Sequence, residues 1–397
     1  MRRMTQKAKR MVGAAACGIA AIAMISSAEA QIVKPKQSLG GRLTLQDEGT
    51  FFVHGKKVTT PFNGAVAPGA PLPTPATIMI EQMYVHYRIP AQVKQYPIVF
   101  VHGGGLTGQS YETTPDGREG WSTYFARQGF PTYVVDFPTR GRAGFSPIGI
   151  HQGKYEQDWS KIPSFSRSGA ETLWPGFRFG PSNGVKYPNL AYPIEAMDGL
   201  LAQGFNGTDG TITDRTSFVF GAEALINLLD QIGPAILVVH SQSGPFPDPV
   251  VEARPGLVKA VINVEGYEGL PPTDAQIKAY KKVPVLELFG DNMIGNTSNL
   301  GERRYVGRKA IDDKINAAGG SATPVLLTDV GLKGNTHMMM QDTNNLKIAD
   351  LMISWLSKKS PYKKGNGHGG NHGNNNGNNG NNGNNGNHGN NGNHGHH

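Results

Sequence analysis

The chain has 397 residues, enough for one large domain or two ordinary ones. Its formal net charge of +8 is concentrated at the ends. Residues 1–30 and Lys358, Lys359, Lys363 and Lys364 account for it, and the stretch between sums to zero, so no basic nucleic-acid-binding face is expected. The single cysteine, Cys17, excludes disulfides, thiolate nucleophiles and cysteine metal sites once the leader is removed.

In chain order, "MRRMTQKAKR" is basic, "MVGAAACGIAAIAMISS" is apolar, and Ala28 and Ala30 stand at small-residue cleavage positions. Residues 1–30 thus read as a secretory signal peptide, cut after Ala30, and the protein is expected to be exported, to periplasm or medium. No later segment is apolar enough to span a bilayer. "GTFFVHGKKV" and "IMIEQMYVHYRI" carry strand signals, separated by the Pro- and Gly-rich stretch from Pro61 to Pro75.

From residue 97 the pattern changes. "PIVFVHGGG", "TYVVDFP", "AILVVHS", "LVKAVINVEG", "VPVLELFGD" and "TPVLLTDVGL" are apolar runs of strand length. "REGWSTYFARQG", "SFVFGAEALINLLDQIG", "ERRYVGRKAIDDKINAAGG" and "NNLKIADLMISWLSKK" have helical character. Strands without polar alternation are buried on both faces, which predicts an α/β fold with a mostly parallel, doubly wound sheet. Reactive residues in such sheets lie at the carboxyl ends of the strands.

Residues 141–214, after the fourth strand, form a long insertion with Trp159, Phe165, Trp174, Phe177, Phe179, Tyr187 and Tyr192. Two readings stand: a surface loop packed on itself, or a lid-like flap whose aromatics line an apolar pocket. Its Arg178 and Lys186, with Arg140 just before it, are candidates for binding an acidic substrate group. Residues 365–397 contain only Gly, Asn and His. With nothing apolar to bury they read as a disordered tail. Six irregularly spaced histidines give loose binding to metal ions or surfaces as the alternative.

A serine hydroxyl needs a histidine to take its proton and an acid to fix that histidine, and this class of sheet supplies them in the order Ser, acid, His. "VVHSQSGP" nearly matches the G-x-S-x-G elbow, with Val239 and Ser243 where the glycines belong. Ser241 lies two residues beyond the strand, on the sharp turn, whereas Ser243 would already be inside the following helix; Ser241 is therefore the expected nucleophile. Only His337 follows it before the tail, in the Gly-rich loop "GLKGNTHMMM", where a mobile base loop belongs. Two carboxylates follow strand ends, Glu265 and Asp291, and spacing alone favours Asp291. Gln242 and the loop "HGGGLTG", through Gly104 or else Gly105, are the expected oxyanion donors.

Together these residues resemble the α/β-hydrolase superfamily, and within it a branch of secreted, dimeric bacterial carboxylesterases. The matching stretches are "HGGGLTGQSYETTPDGREGW", "VVHSQSGP", "ARPGLVKAVINVEG", "LFGD" and "GNTHMMM", within roughly residues 45–357. The resemblance implies a Ser-His-Glu triad of Ser241, His337 and Glu265, with Asp291 demoted to a structural neighbour. It implies Gly104 and Gln242 as oxyanion donors, a homodimer, a small-molecule ester as substrate, and neither cofactor nor metal. Some relatives carry a cysteine pair at Gly104 and Gly105. The alternatives are a non-catalytic ligand-binding protein and an amide or lactone hydrolase using the same triad. Pro245, Pro247 and Pro249 crowd the segment after the elbow and predict a late or irregular start for its helix.

Overall fold

The structure is a computed structural model and describes residues 40–362 except 164, 205–214, 296, 297 and 299. The expected signal peptide and the Gly/Asn/His tail lie outside the described residues. Eight strands form one sheet: β1 (Leu45–Thr60), β2 (Ala76–Pro90), β3 (Ile98–Val101), β4 (Thr132–Asp136), β5 (Ala235–His240), β6 (Val258–Val264), β7 (Val285–Phe289) and β8 (Ala322–Leu326). Their order is β1-β2-β4-β3-β5-β6-β7-β8, antiparallel through β2/β4 and parallel from β4 onwards.

Every residue of β3, β5 and β7 is buried, which requires cover on both faces. Side chains alternate across a strand. Ile98, Phe100, Ile236, Val238, Ile262, Leu286 and Leu288 point to one side, into a cluster with Trp121 and Phe125 of α1 (Trp121–Arg127) and Ile348 and Met352 of α9 (Asn345–Lys359). Val99, Val101, Leu237, Val239, Val261 and Val285 point to the other. There they meet Leu225 and Leu228 of α5 (Arg215–Ile232), Val250 of α6 (Pro247–Ala253), and Ile311 and Ile315 of α8 (Leu300–Ala317). The predicted double winding therefore follows from period-two apolar strands; each buried aliphatic side chain contributes about 1.5–3 kcal/mol.

The chain runs from β3 outward to β4 and returns across β3 to β5, so the strand order reverses between β3 and β5. In open α/β sheets, ligands bind outside the carboxyl ends of the strands at such a reversal. The glycine loop and the Ser241 turn follow the carboxyl ends of β3 and β5.

The insertion after β4 is not structureless. It holds α2 (Ile148–Glu156), α3 (Ala170–Gly176) and α4 (Met197–Gln203). Its aromatics divide: Trp174, Phe179 and Tyr192 belong to the main core, whereas Trp159 and Phe165 are exposed. A short α7 (Asp274–Ala279) follows β6. Among the described residues no helix is long and apolar enough to cross a membrane, and no cluster of His, Cys, Asp and Glu could hold a metal ion.

Candidate active site

Strand β5 ends at His240, and the chain turns at once into a single 3₁₀ turn, Ser241–Ser243. Ser241 has φ of 54°, in the left-handed region that a non-glycine residue adopts only at a cost of about 1–3 kcal/mol. Three contacts hold it there. The Tyr267 N–H donates to the Ser241 carbonyl at 2.7 Å. Ser243 Oγ donates to Val101 O on β3 at 3.1 Å and accepts from the His240 N–H at 3.0 Å. Ser243 is thus small enough for the position where the motif expects glycine, and its hydroxyl is committed to the backbone. It does not lie inside an α-helix as expected. With Pro247 at its first turn, α6 starts only there, leaving Ser241–Ser243 as an isolated turn, the late start that the prolines predict.

The glycine loop after β3 packs directly on this turn. A Cβ at Gly103 would lie 2.7 Å from both Ser241 Cβ and His240 Nδ1, and one at Gly104 would lie 2.8 Å from the Gln242 side-chain oxygen. Only glycine lets the two loops approach so closely, and this brings Gly104 and Gln242 side by side at the carboxyl ends of β3 and β5. Gly105 is exposed and has φ of 68°.

His337 and Glu265 are both fully buried. His337 Nδ1 lies 2.7 Å from Glu265 Oε2, which fixes its proton on Nδ1 and leaves Nε2, without a hydrogen-bond partner, as the basic nitrogen. Glu265, itself at φ of 45°, also accepts from the Gly290 N–H at 2.8 Å and from Arg178 Nη2. Burial alone would raise the Glu265 pKa, but the Arg178 charge and the His337 bond outweigh it and hold the carboxyl well below the usual range. Burial and the nearby Arg304 cation push His337 down to about 4 against the pull of Glu265, so the imidazole is neutral at neutral pH.

Spacing favours Asp291 as the acid, but Asp291 does not reach the imidazole. Its two oxygens accept from the Gly334 and Asn335 N–H groups at 2.8 and 3.1 Å. Asp342 grips the next residue from the other end, accepting from the Thr336 N–H and hydroxyl, both at 2.8 Å. His337 N–H donates to Phe177 O, and His240 Nε2 donates to His337 O at 2.9 Å. The histidine loop expected to be mobile is fastened at every residue from Gly334 to His337.

Ser241 and His337 meet through a residue absent from the sequence-based site. Arg304 Nη2 donates to Ser241 Oγ at 3.3 Å, and Nη1 stands 3.4 Å from His337 Nδ1. With Nδ1–H engaged by Glu265, that second approach is proximity rather than a hydrogen bond. No bond joins Ser241 to His337 Nε2 in this structure, and Ser241 keeps its own proton free to donate. The signal for Arg304 was in α8. Arg304, Arg308, Ile311 and Ile315 follow the i, i+4, i+7, i+11 spacing of an inward stripe, and all four are buried.

The arginines proposed from sequence for an acidic substrate group are otherwise engaged. Arg178 is buried against Glu265 and donates through Nε to Asp291 O at 2.7 Å, so the chain itself engages two of its donors. Arg140 is buried over the Phe137 ring, and Lys186 pairs at the surface with Glu195 at 3.1 Å. Of the insertion aromatics, Phe177 lies beside the imidazole, the two rings tilted by 47° with centroids 5.1 Å apart.

A bacterial esterase of known structure is 34% identical to this chain, covering 82% of it and 99% of the esterase, with a TM-score of 0.74. A protein of Fungal sp. named "Probable secreted lipase phiG" is 26% identical over 335 residues, 70% of this chain and 86% of its own length. No family model matches the chain.

Proposed function

Because the chain belongs to the α/β-hydrolase superfamily, we propose that it is an exported serine carboxylesterase acting through a Ser241-His337-Glu265 triad and an acyl-enzyme. The observation that carries this reading is the buried 2.7 Å contact between His337 Nδ1 and Glu265, on the loops flanking a serine in a left-handed turn. As Ser241 Oγ bonds to the ester carbonyl carbon, its proton passes to His337 Nε2. The carbonyl electron pair moves onto oxygen, where the Gly104 and Gln242 N–H groups stabilise it, each worth about 10²–10³ in rate. Collapse breaks the carbon–alkoxy bond, and His337 protonates the departing alcohol. Water, deprotonated by the same nitrogen, then attacks the acyl carbon, releasing the acid and restoring Ser241.

The esterase and lipase relatives support an ester substrate, and the leader-like residues 1–30 support export. Residues 31–364 are then the catalytic domain, with 141–214 as a lid-like insertion, and the tail is a spacer. Purified protein should hydrolyse p-nitrophenyl butyrate, and His337→Ala should lower kcat by about 10⁴-fold or more. Equal turnover by the two proteins, or none by the parent, would refute the assignment.

A further inference from the structure

Arg178, Arg304 and Arg308 are among the buried arginines, and the protein supplies a carboxylate to two of these three. Arg178 pairs with Glu265 and Arg308 with Glu287. Arg304, 6% exposed, has none: among the described residues no carboxylate lies within ion-pairing distance of it. Glu265 is occupied by Arg178 and His337, and Glu268 pairs with Arg303 at 2.9 Å. Among the described residues Arg304 Nε has no hydrogen-bond partner, while Nη2 donates to Ser241 Oγ and Nη1 stands beside His337 Nδ1. Glu265 and Glu268 act on Arg304 only from beyond ion-pair distance, a buried cation without a direct partner is costly, and here it faces the proposed nucleophile. Burial lowers Arg304 only to about 10, so it remains charged at neutral pH. Its helix is fixed one turn further on, where Arg308 Nε donates to Glu287 on β7 at 2.9 Å.

Resting on the ester-hydrolase reading, we infer that Arg304 recognises an anion on the substrate. The preferred substrates are esters bearing a carboxylate a short carbon chain from the scissile carbonyl. A carboxylate accepting from the guanidinium at about 2.8 Å would lie within a few ångströms of Ser241 Oγ. That distance matches hemiesters with one to three carbons between the two carbonyl carbons. Guanidinium also suits a carboxylate better than ammonium does, through two parallel N–H donors.

The test compares ethyl hydrogen succinate with its neutral isostere, ethyl 4-methylpentanoate, by pH-stat at pH 8. The parent should favour the hemiester by about 10–100-fold in kcat/KM, the value of a charged hydrogen bond, with most of the difference in KM. Arg304→Gln should bring that ratio to one or below, and Arg304→Lys should restore part of it. A ratio near one in the parent, which needs no variant to fold, overturns the inference. So does a ratio unmoved by Arg304→Gln, whether that variant slows both esters (a role at the developing oxyanion) or speeds both (a plug over Ser241). Hydrolysis of the neutral ester with no hemiester preference would leave the carboxylesterase reading intact. Turnover of neither ester would sink both.

Discussion

Glu265→Gln should lower kcat by about 10⁴-fold with KM little changed, the scale of the loss when a triad acid becomes an amide. Glu265 accepts from three N–H groups, those of Gly290, Arg178 and His337. An amide has one oxygen, so it must turn an NH₂ towards at least one of these donors. If that donor is His337, the imidazole moves its proton to Nε2 and the base is lost. Asp291→Asn separates the two carboxylates that follow strands β6 and β7. Asp291 touches only the backbone of Gly334 and Asn335 among the loop residues, so its loss acts by displacing the loop, for which about 10²-fold is the expected ceiling. Steady-state kinetics on p-nitrophenyl butyrate decide it, and a larger loss for Asp291→Asn than for Glu265→Gln would reverse the assignment of the acid.

Arg178→Leu should cost about 3–5 kcal/mol of stability, because it strands a buried carboxylate. Its pH dependence is the sharper signature. In the parent, Glu265 has a pKa below its unfolded value of 4.5, so it contributes stability above pH 4.5 that is lost as the pH falls. Without Arg178, burial dominates and the folded pKa rises above 4.5. The same group then loses stability as the pH rises. Urea unfolding at pH 4 and pH 8 should therefore show a larger deficit for the variant at pH 8. A deficit that is constant, or larger at pH 4, would mean that Arg178 is not what keeps Glu265 ionised.

The parts of this molecule that were legible in the sequence are those with a one-dimensional signature. Uninterrupted apolar runs such as "PIVFV" and "AILVV" mark strands covered on both faces, and the eight-stranded sheet follows from them. Position at a strand end singles out Ser241 as the proposed nucleophile, and elimination singles out His337 as the proposed base. The choice between Glu265 and Asp291 was not legible from spacing. Glu265 follows β6 directly and Asp291 follows β7 after Gly290, and what separates them is whether the side chain turns to the imidazole or to the loop backbone. The left-handed φ of Glu265, which aims its carboxylate, has no glycine to announce it. The short helices of the insertion were equally hidden, since α2 is rich in Gly and polar residues and α3 spans only seven residues with Pro175 inside it. Arg178 and Arg304 look like ordinary surface arginines until the fold buries them, and whether each has a partner depends on residues far away in the chain.

The proposed chemistry begins at a serine oxygen where β5 ends, and trapping that oxygen tests it most directly. Incubation with a fluorophosphonate followed by peptide mapping should find one phosphonylated residue, Ser241, and no labelling of Ser241→Ala. A phosphonyl group on Ser243, or a label that survives Ser241→Ala, would contradict it.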